Sequence, residues 1–176
     1  MNTSPETSVK ELIPSTTIAA KVRDLGNALT DNYRDRDLVA LTICNGGMVF
    51  AADLIRHMPI PMELDAILIS SYSGTNSTGH IMLRSELKAT LTGRHVLVID
   101  DILDSGRTLA QLRDILLKQR PADLRFCVLC DKPQRRDTDF HADYVGFVVP
   151  DRFIVGYGMD YNGRYRNLPY IGVLEE

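Results

Sequence analysis

Tryptophan is absent from the 176 residues, cysteine occurs three times and histidine four times. These scarcities close off several chemistries. Cys44, Cys127 and Cys130 are odd in number and embedded in apolar runs, which reads as buried thiols in a reducing compartment. Cys127 and Cys130 do form a CxxC, but it lies inside the strand-like run RFCVLC, so a redox pair is not expected. His57, His80, His95 and His141 lack metal-ligand spacing, and zinc is not expected either. No stretch approaches 18 apolar residues and no apolar N-terminal run resembles a signal peptide, so the expected location is cytoplasmic, with no membrane contact. There is no GK[ST] phosphate loop, which disfavours ATPase chemistry of the Walker type. A large charge excess is also missing. A net charge of -3 argues against a general nucleic-acid binder.

What remains is ordinary globular composition, 44% hydrophobic and 24% charged, enough for a sizeable core. A chain of this length reads as a single domain, 1–176, burying about two thirds of its unfolded surface. Its centre is VLVIDDILDSGRTL, from Val96 to Leu109. Four apolar residues followed by Asp100 read as a strand buried on both faces of a parallel sheet. Asp100, Asp101 and Asp104 then lead into Ser105, Gly106, Arg107 and Thr108. Leu109, Leu112, Ile115 and Leu116 resume with the spacing of a helix face. Strand, acid-and-glycine turn, and helix make the usual address of a ligand in an open α/β sheet. Free N–H groups at the helix start suit a phosphate, and the acids suit ribose hydroxyls or a hard cation.

Taken in order, residues 1–10 are polar and expected to fray. Ile18, Val22, Leu25 and Leu29 predict a helix over about 17–32. Leu38 to Cys44 reads as a buried strand running into Asn45, Gly46 and Gly47, followed by a helix that ends before Pro59. Ala66 to Ile69 is a further strand. The polar stretch SSYSGTNSTGH after it is expected to be a surface loop, or two strands with a long mobile connection. Leu124 to Cys130 and Tyr144 to Val149 complete the set. The pattern predicts an α/β fold, a doubly wound, mostly parallel five-stranded sheet over about 36–150. The first helix and the irregular tail are left to form a small cap (hood) over about 10–20 and 151–176, with a flexible loop at about 70–80.

Three strand ends thus bring polar groups to one rim: Asn45 with Gly46 and Gly47, the three acids, and Asp131 with Lys132. Asp104 reads either as a cap on the following helix or as a general base. Lys132 is either solvated or aimed at a carbonyl or phosphate. Phe153 with Ile154 is either core or an apolar slot for a flat base. Tyr72, aromatic within a polar loop, is expected to reach a ligand or an interface.

VLVIDDILDSGRTL resembles the phosphoribosyl-diphosphate-binding motif of type I phosphoribosyltransferases. SSYSGTNSTG, DKPQRR and PDRFIVGYGMDYNGRYRNLPYIG are similar to the flexible loop, the purine-recognition segment and the C-terminal segment of the bacterial hypoxanthine(-guanine) phosphoribosyltransferases. The resemblance implies purine salvage: Mg²⁺-dependent transfer of the 5-phosphoribosyl group to N9 of hypoxanthine or guanine, giving the purine nucleotide and pyrophosphate. It also implies a homodimer or homotetramer.

Carried over by position, Asp100 and Asp101 would hold the ribose hydroxyls, directly or through Mg²⁺, and Asp104 would take the N7 proton. Ser105, Gly106, Arg107 and Thr108 would cradle the 5'-phosphate. Lys132 would donate to the 6-oxo group, Phe153 would stack on the ring, and Ile154 would offer backbone contacts beside it. Asp160 would line the purine site and coordinate a second Mg²⁺ with the pyrophosphate, and Arg166 would help bind that pyrophosphate. Asn45 and Gly46 match a short pyrophosphate loop in which the family often has a cis peptide. Ser71 and Tyr72 would close over the reaction. Where many members carry Lys or Arg, this chain has Asn45, which donates a hydrogen bond but no charge. The superfamily also contains regulators that bind RNA or DNA. They would present a broad basic face, against which the net charge counts.

Overall fold

A computed structural model of the chain describes residues 8–71 and 81–175. The elements are β1 (Val9–Ile13), α1 (Ser15–Tyr33), β2 (Leu38–Cys44), α2 (Met48–Arg56), β3 (Glu63–Ser71), β4 (Ile81–Leu83), β5 (His95–Leu103), α3 (Arg107–Leu117), β6 (Asp123–Asp131), β7 (Tyr144–Val148), β8 (Ile154–Val155) and β9 (Ile171–Leu174). No described helix is long and apolar enough to cross a membrane.

The main sheet has the order β4-β3-β2-β5-β6-β7, parallel throughout except for β4, which runs antiparallel to β3 at one edge. The five strands expected from sequence are all present. The sixth lies just beyond the polar stretch, and its three residues carry too little alternation to register as a strand by themselves. Its pairing agrees with the two-strand reading of the polar stretch, whose connection at residues 72–80 lies outside the described residues.

Alternation along the central strands builds two apolar layers. Ala40, Leu97, Ile99, Cys127 and Leu129 pack with Ile18, Val22 and Leu29 of α1 and with Phe50 and Leu54 of α2. Val39, Leu41, Val96, Val98 and Val128 pack with Leu109, Leu112 and Leu116 of α3. Helices therefore cover both faces, as a doubly wound sheet requires. Cys127 and Cys130 are both buried with free thiols, and burial pushes both up out of the reactive range.

The cap differs from the sequence expectation in its N-terminal part. Helix α1 packs on the main sheet beside α2 and is not in the cap. The strand ahead of it is: β1 pairs antiparallel with β9, and β9 with β8, as a three-stranded sheet. Residues 8–10, expected to fray, are held by this ladder, with Val9 opposite Leu174 and Lys10 opposite Val173. Ile154, Tyr157, Met159, Ile171 and Val173 join the cap to the α1–α2 core layer.

Strand β2 leads through α2 to its neighbour on one side, and β5 leads through α3 to its neighbour on the other. The strand order therefore reverses between β2 and β5. A crevice opens outside the carboxyl ends of the strands at such a point.

Candidate active site

The turns that follow β2 and β5 meet at this crevice. The Cys44–Asn45 peptide bond is cis. A Cβ on Gly46 would lie 2.1 Å from Oδ2 of Asp101, and one on Gly47 would lie 2.9 Å from the Ile43 and Ile99 carbonyl oxygens. Only glycine lets the first turn approach the acids of the second this closely. The cap presses from the other side, because a Cβ on Gly158 would lie 2.2 Å from the Gly46 carbonyl oxygen.

Asp100 and Asp101 are 9% and 8% exposed. The Asp101 N–H donates to Asp100 Oδ1 at 3.0 Å. Burial, and then the charge of Asp101, push the Asp100 carboxyl well above the ordinary carboxylate range. Burial also raises Asp101, against the hydrogen bond from Asp100 and the attraction of the Arg166 guanidinium. Neither makes an ion pair with a side chain among the described residues. Two buried acids without a cation suit a hard divalent ion, which would relieve their repulsion. The Asp160 carboxylate pairs with Arg166 at 2.7 Å and accepts from the Gly163 N–H. Among the described residues no group of three or more His, Cys, Asp or Glu could hold a metal.

Two cavities meet along Asp101, Ile102 and Asp104. The smaller, about 240 Å³, is lined by residues 100–106 with Thr108 and Leu109. It lies at the N-terminus of α3, where Gly106 is the N-cap residue at φ +84° and Asp104 makes no capping hydrogen bond. That disposes of the cap reading of Asp104. Ser105 Oγ accepts from the Arg107 N–H at 3.4 Å. The Arg107 guanidinium turns away from the cavity to Asp137, at 2.6 Å. The concave side thus offers main-chain N–H groups, a hydroxyl and the helix dipole, which together suit an anion.

The larger cavity, about 390 Å³, is bounded by Asp104, Lys132, Phe153 and Ile154, with Arg135, Asp151, Arg152, Met159 and Asp160 around them. Lys132 is 5% exposed and has no ion-pair partner among the described residues. A buried ammonium left in that state demands an oxygen from whatever enters. Phe153 is 53% exposed, its ring set edge to face against Tyr161 at 5.4 Å. It is therefore a platform and not core. Ile154, next in the chain, is buried. Asp104 Oδ1 makes no hydrogen bond and lies 3.2 Å from Arg135 Nε, and Arg135 also reaches Asp151 at 3.3 Å.

The structure thus brings Asp100, Asp101, Asp104, Ser105, Gly106, Thr108, Lys132, Phe153, Ile154 and Asp160 to the two cavities. Asn45, Gly46 and Arg166 do not line them; Gly46 abuts Asp101, and Arg166 Nη1 donates to the Gly158 carbonyl. Ser71 ends β3, its side chain undescribed, and Tyr72 lies outside the described residues. Sequence reasoning gave no role to Arg135, Asp151, Arg152 or Tyr161. The carboxyl end of β7, just before Asp151, was the available signal for two of them.

With this geometry in view, comparisons with known proteins point one way. The family described as the phosphoribosyl transferase domain matches residues 8–162. The hypoxanthine-guanine-xanthine phosphoribosyltransferase of Tritrichomonas foetus is 44% identical over 160 residues, 90% of this chain and 87% of that one. The hypoxanthine phosphoribosyltransferase of Escherichia coli is 40% identical over 168 residues, 94% of each. Among solved structures, a hypoxanthine-guanine phosphoribosyltransferase from Bacillus anthracis superposes with a TM-score of 0.91 at 41% identity, covering 97% of this chain and all of that one.

Proposed function

The chain belongs to the hypoxanthine-guanine phosphoribosyltransferase family of type I phosphoribosyltransferases, and from that premise we propose that it transfers the 5-phosphoribosyl group of phosphoribosyl diphosphate to N9 of a 6-oxopurine. The observation that carries this reading is the buried, unpaired Lys132 lining a cavity with the exposed Phe153 ring, next to an anion cradle. In this reading N9 attacks C1 of the ribose as the C1–O bond to pyrophosphate breaks. The N7 proton passes to Asp104, whose Oδ1 has no hydrogen bond to give up. Lys132 donates to the 6-oxo oxygen, and Phe153 stacks against the ring. Ser105, Gly106, Arg107 and Thr108 hold the 5'-phosphate through main-chain N–H groups and hydroxyls. Arg166, beside Asp101 and Asp160, supplies positive charge near the leaving group.

Asp100 and Asp101 fit Mg²⁺ with the ribose hydroxyls, their buried carboxylates being the hard donors that ion prefers. When bound, Mg²⁺ neutralises charge developing on pyrophosphate. Its binding has a readout apart from turnover. Millimolar Mg²⁺ should raise the Tm of the wild-type chain, because a ligand that binds only the folded state stabilises it. Asp100→Asn should lose that response. Equal shifts in both proteins would place the ion elsewhere.

Base selectivity tests Lys132. Hypoxanthine and guanine should be turned over, whereas adenine, which offers an amino group at the 6-position, should not. Lys132→Met should lower kcat/KM for hypoxanthine by about 10- to 100-fold, the range for losing a charged hydrogen bond. Steady-state kinetics with both bases checks this, and adenine as the better substrate would overturn the assignment.

A further inference from the structure

The proposed phosphate cradle hangs from the segment that follows the base-binding lysine. Arg136 reaches back under the loop, its side chain only 9% exposed. One guanidinium nitrogen, Nη1, donates to the Asp104 carbonyl at 2.6 Å, and the other, Nη2, pairs with the Asp131 carboxylate. The next carbonyl, that of Ser105, accepts from the Asp137 N–H at 3.1 Å and from the Thr138 hydroxyl at 3.2 Å. Gly106 seals the contact: a Cβ there would lie 2.3 Å from Thr138 Oγ1 and 3.0 Å from Arg136 Cδ.

Peptide geometry gives these contacts a consequence for the ligand. In a planar trans peptide the C=O and the N–H point in opposite directions. Holding the Asp104 carbonyl on Arg136 therefore turns the Ser105 N–H the other way. Holding the Ser105 carbonyl on Asp137 and Thr138 does the same for the Gly106 N–H. The other side of the loop is the 240 Å³ cavity. Anchoring two carbonyls at the back thus aims two donors at the front, and such successive N–H groups form an anion nest.

We propose that Arg136, with Thr138, is a positioning residue for 5'-phosphate recognition, acting through the Asp104 and Ser105 carbonyls. Lysine cannot replace it fully, because a single ammonium cannot reproduce the planar fork that spans the carbonyl and Asp131. The inference rests on the reading of Ser105–Thr108 as the phosphate cradle.

The test compares wild type, Arg136→Lys, Thr138→Val, Arg136→Met and the pair Asp131→Asn/Arg136→Met. The pair leaves no buried carboxylate unpaired, so the fold survives while the loop loses its anchor. Three quantities are read: KM for phosphoribosyl diphosphate, KM for hypoxanthine, and the calorimetric Kd of ribose 5-phosphate. The paired variant should raise KM for the diphosphate and Kd for ribose 5-phosphate by about 10- to 100-fold, the range for a charge-assisted hydrogen bond. KM for hypoxanthine should change much less. Thr138→Val should cost about 2- to 10-fold in the same two quantities, as for a neutral bond, and Arg136→Lys should fall between wild type and Arg136→Met. Folded variants with unchanged ribose 5-phosphate affinity would overturn the proposal, as would equal losses for phosphate ligand and purine. A wild-type chain that binds ribose 5-phosphate but transfers nothing would refute the proposed function and leave this inference to be judged on the binding data.

Discussion

Asp104→Asn should lower kcat by about 10²-fold or more, the range for losing a general base, with KM for phosphoribosyl diphosphate much less affected. The substitution keeps the size of the side chain and its reach toward N7 but removes the acceptor charge. That charge matters most as the purine builds positive charge in the transition state, so the loss belongs to rate more than to binding. Stability should hardly move. Helix α3 has Gly106 and not Asp104 at its N-cap, and Oδ1 of Asp104 makes no hydrogen bond. Its ion pair with Arg135 is half-exposed on both sides, and exposed pairs contribute about 0–1 kcal/mol. A 10²-fold loss in rate corresponds to about 2.7 kcal/mol in the barrier. Kinetics and thermal unfolding on one preparation separate the two effects. Near-normal kcat would leave the chemistry without its base.

Gly46→Ala is expected to reduce kcat/KM for phosphoribosyl diphosphate by about 10²-fold, as for a misplacement of about 1 Å at a reacting site. The added methyl would overlap the Asp101 carboxylate, with its carbon 2.1 Å from Oδ2 and 2.6 Å from Cγ. The turn has nowhere to retreat. Gly47 lies against the Ile43 and Ile99 carbonyls, and Gly158 of the cap lies against the Gly46 carbonyl. Asp101 must therefore move, and with it the proposed ribose and Mg²⁺ contacts. Overpacking of this kind costs about 1–3 kcal/mol in stability, so a fall in Tm should accompany the kinetic loss. KM for hypoxanthine, set at Lys132 and Phe153, should change less. A Gly46→Ala variant with unaltered kcat/KM for the diphosphate would show that the turn and Asp101 are not coupled in catalysis.

What could be read from the chain alone were features with a local cause. The run Val96 to Ile99, the acids after it, Gly106 and the apolar face of α3 are contiguous, so strand, turn and helix declared themselves together. The five parallel strands did so for the same reason, since burial on both faces leaves a continuous apolar run. Asp100, Asp101, Asp104 and Lys132 stood out because strand ends in such a sheet are where ligands sit.

The rest depends on partners far apart in sequence, and no period or spacing records those. Strand β1 has three exposed residues out of five and reads as polar tail; only its ladder with β9, at the opposite end of the chain, orders it. For that reason β1 joined the cap and α1 went to the core. Whether Asp104 was a helix cap or a carboxylate lining the cavity turned on Gly106 taking the left-handed conformation at the helix start. Arg135 and Arg136 are adjacent and alike in sequence, yet they serve opposite faces of one loop. Arg135 meets the Asp104 carboxylate in the open cavity, while Arg136 is buried against the Asp104 carbonyl, 32 residues away. Which of two neighbouring arginines turns inward is set by the path of the chain after β6, where Lys132 bonds to the end of β5 and a short 3₁₀ turn over Pro133–Arg135 folds the segment back beneath the loop.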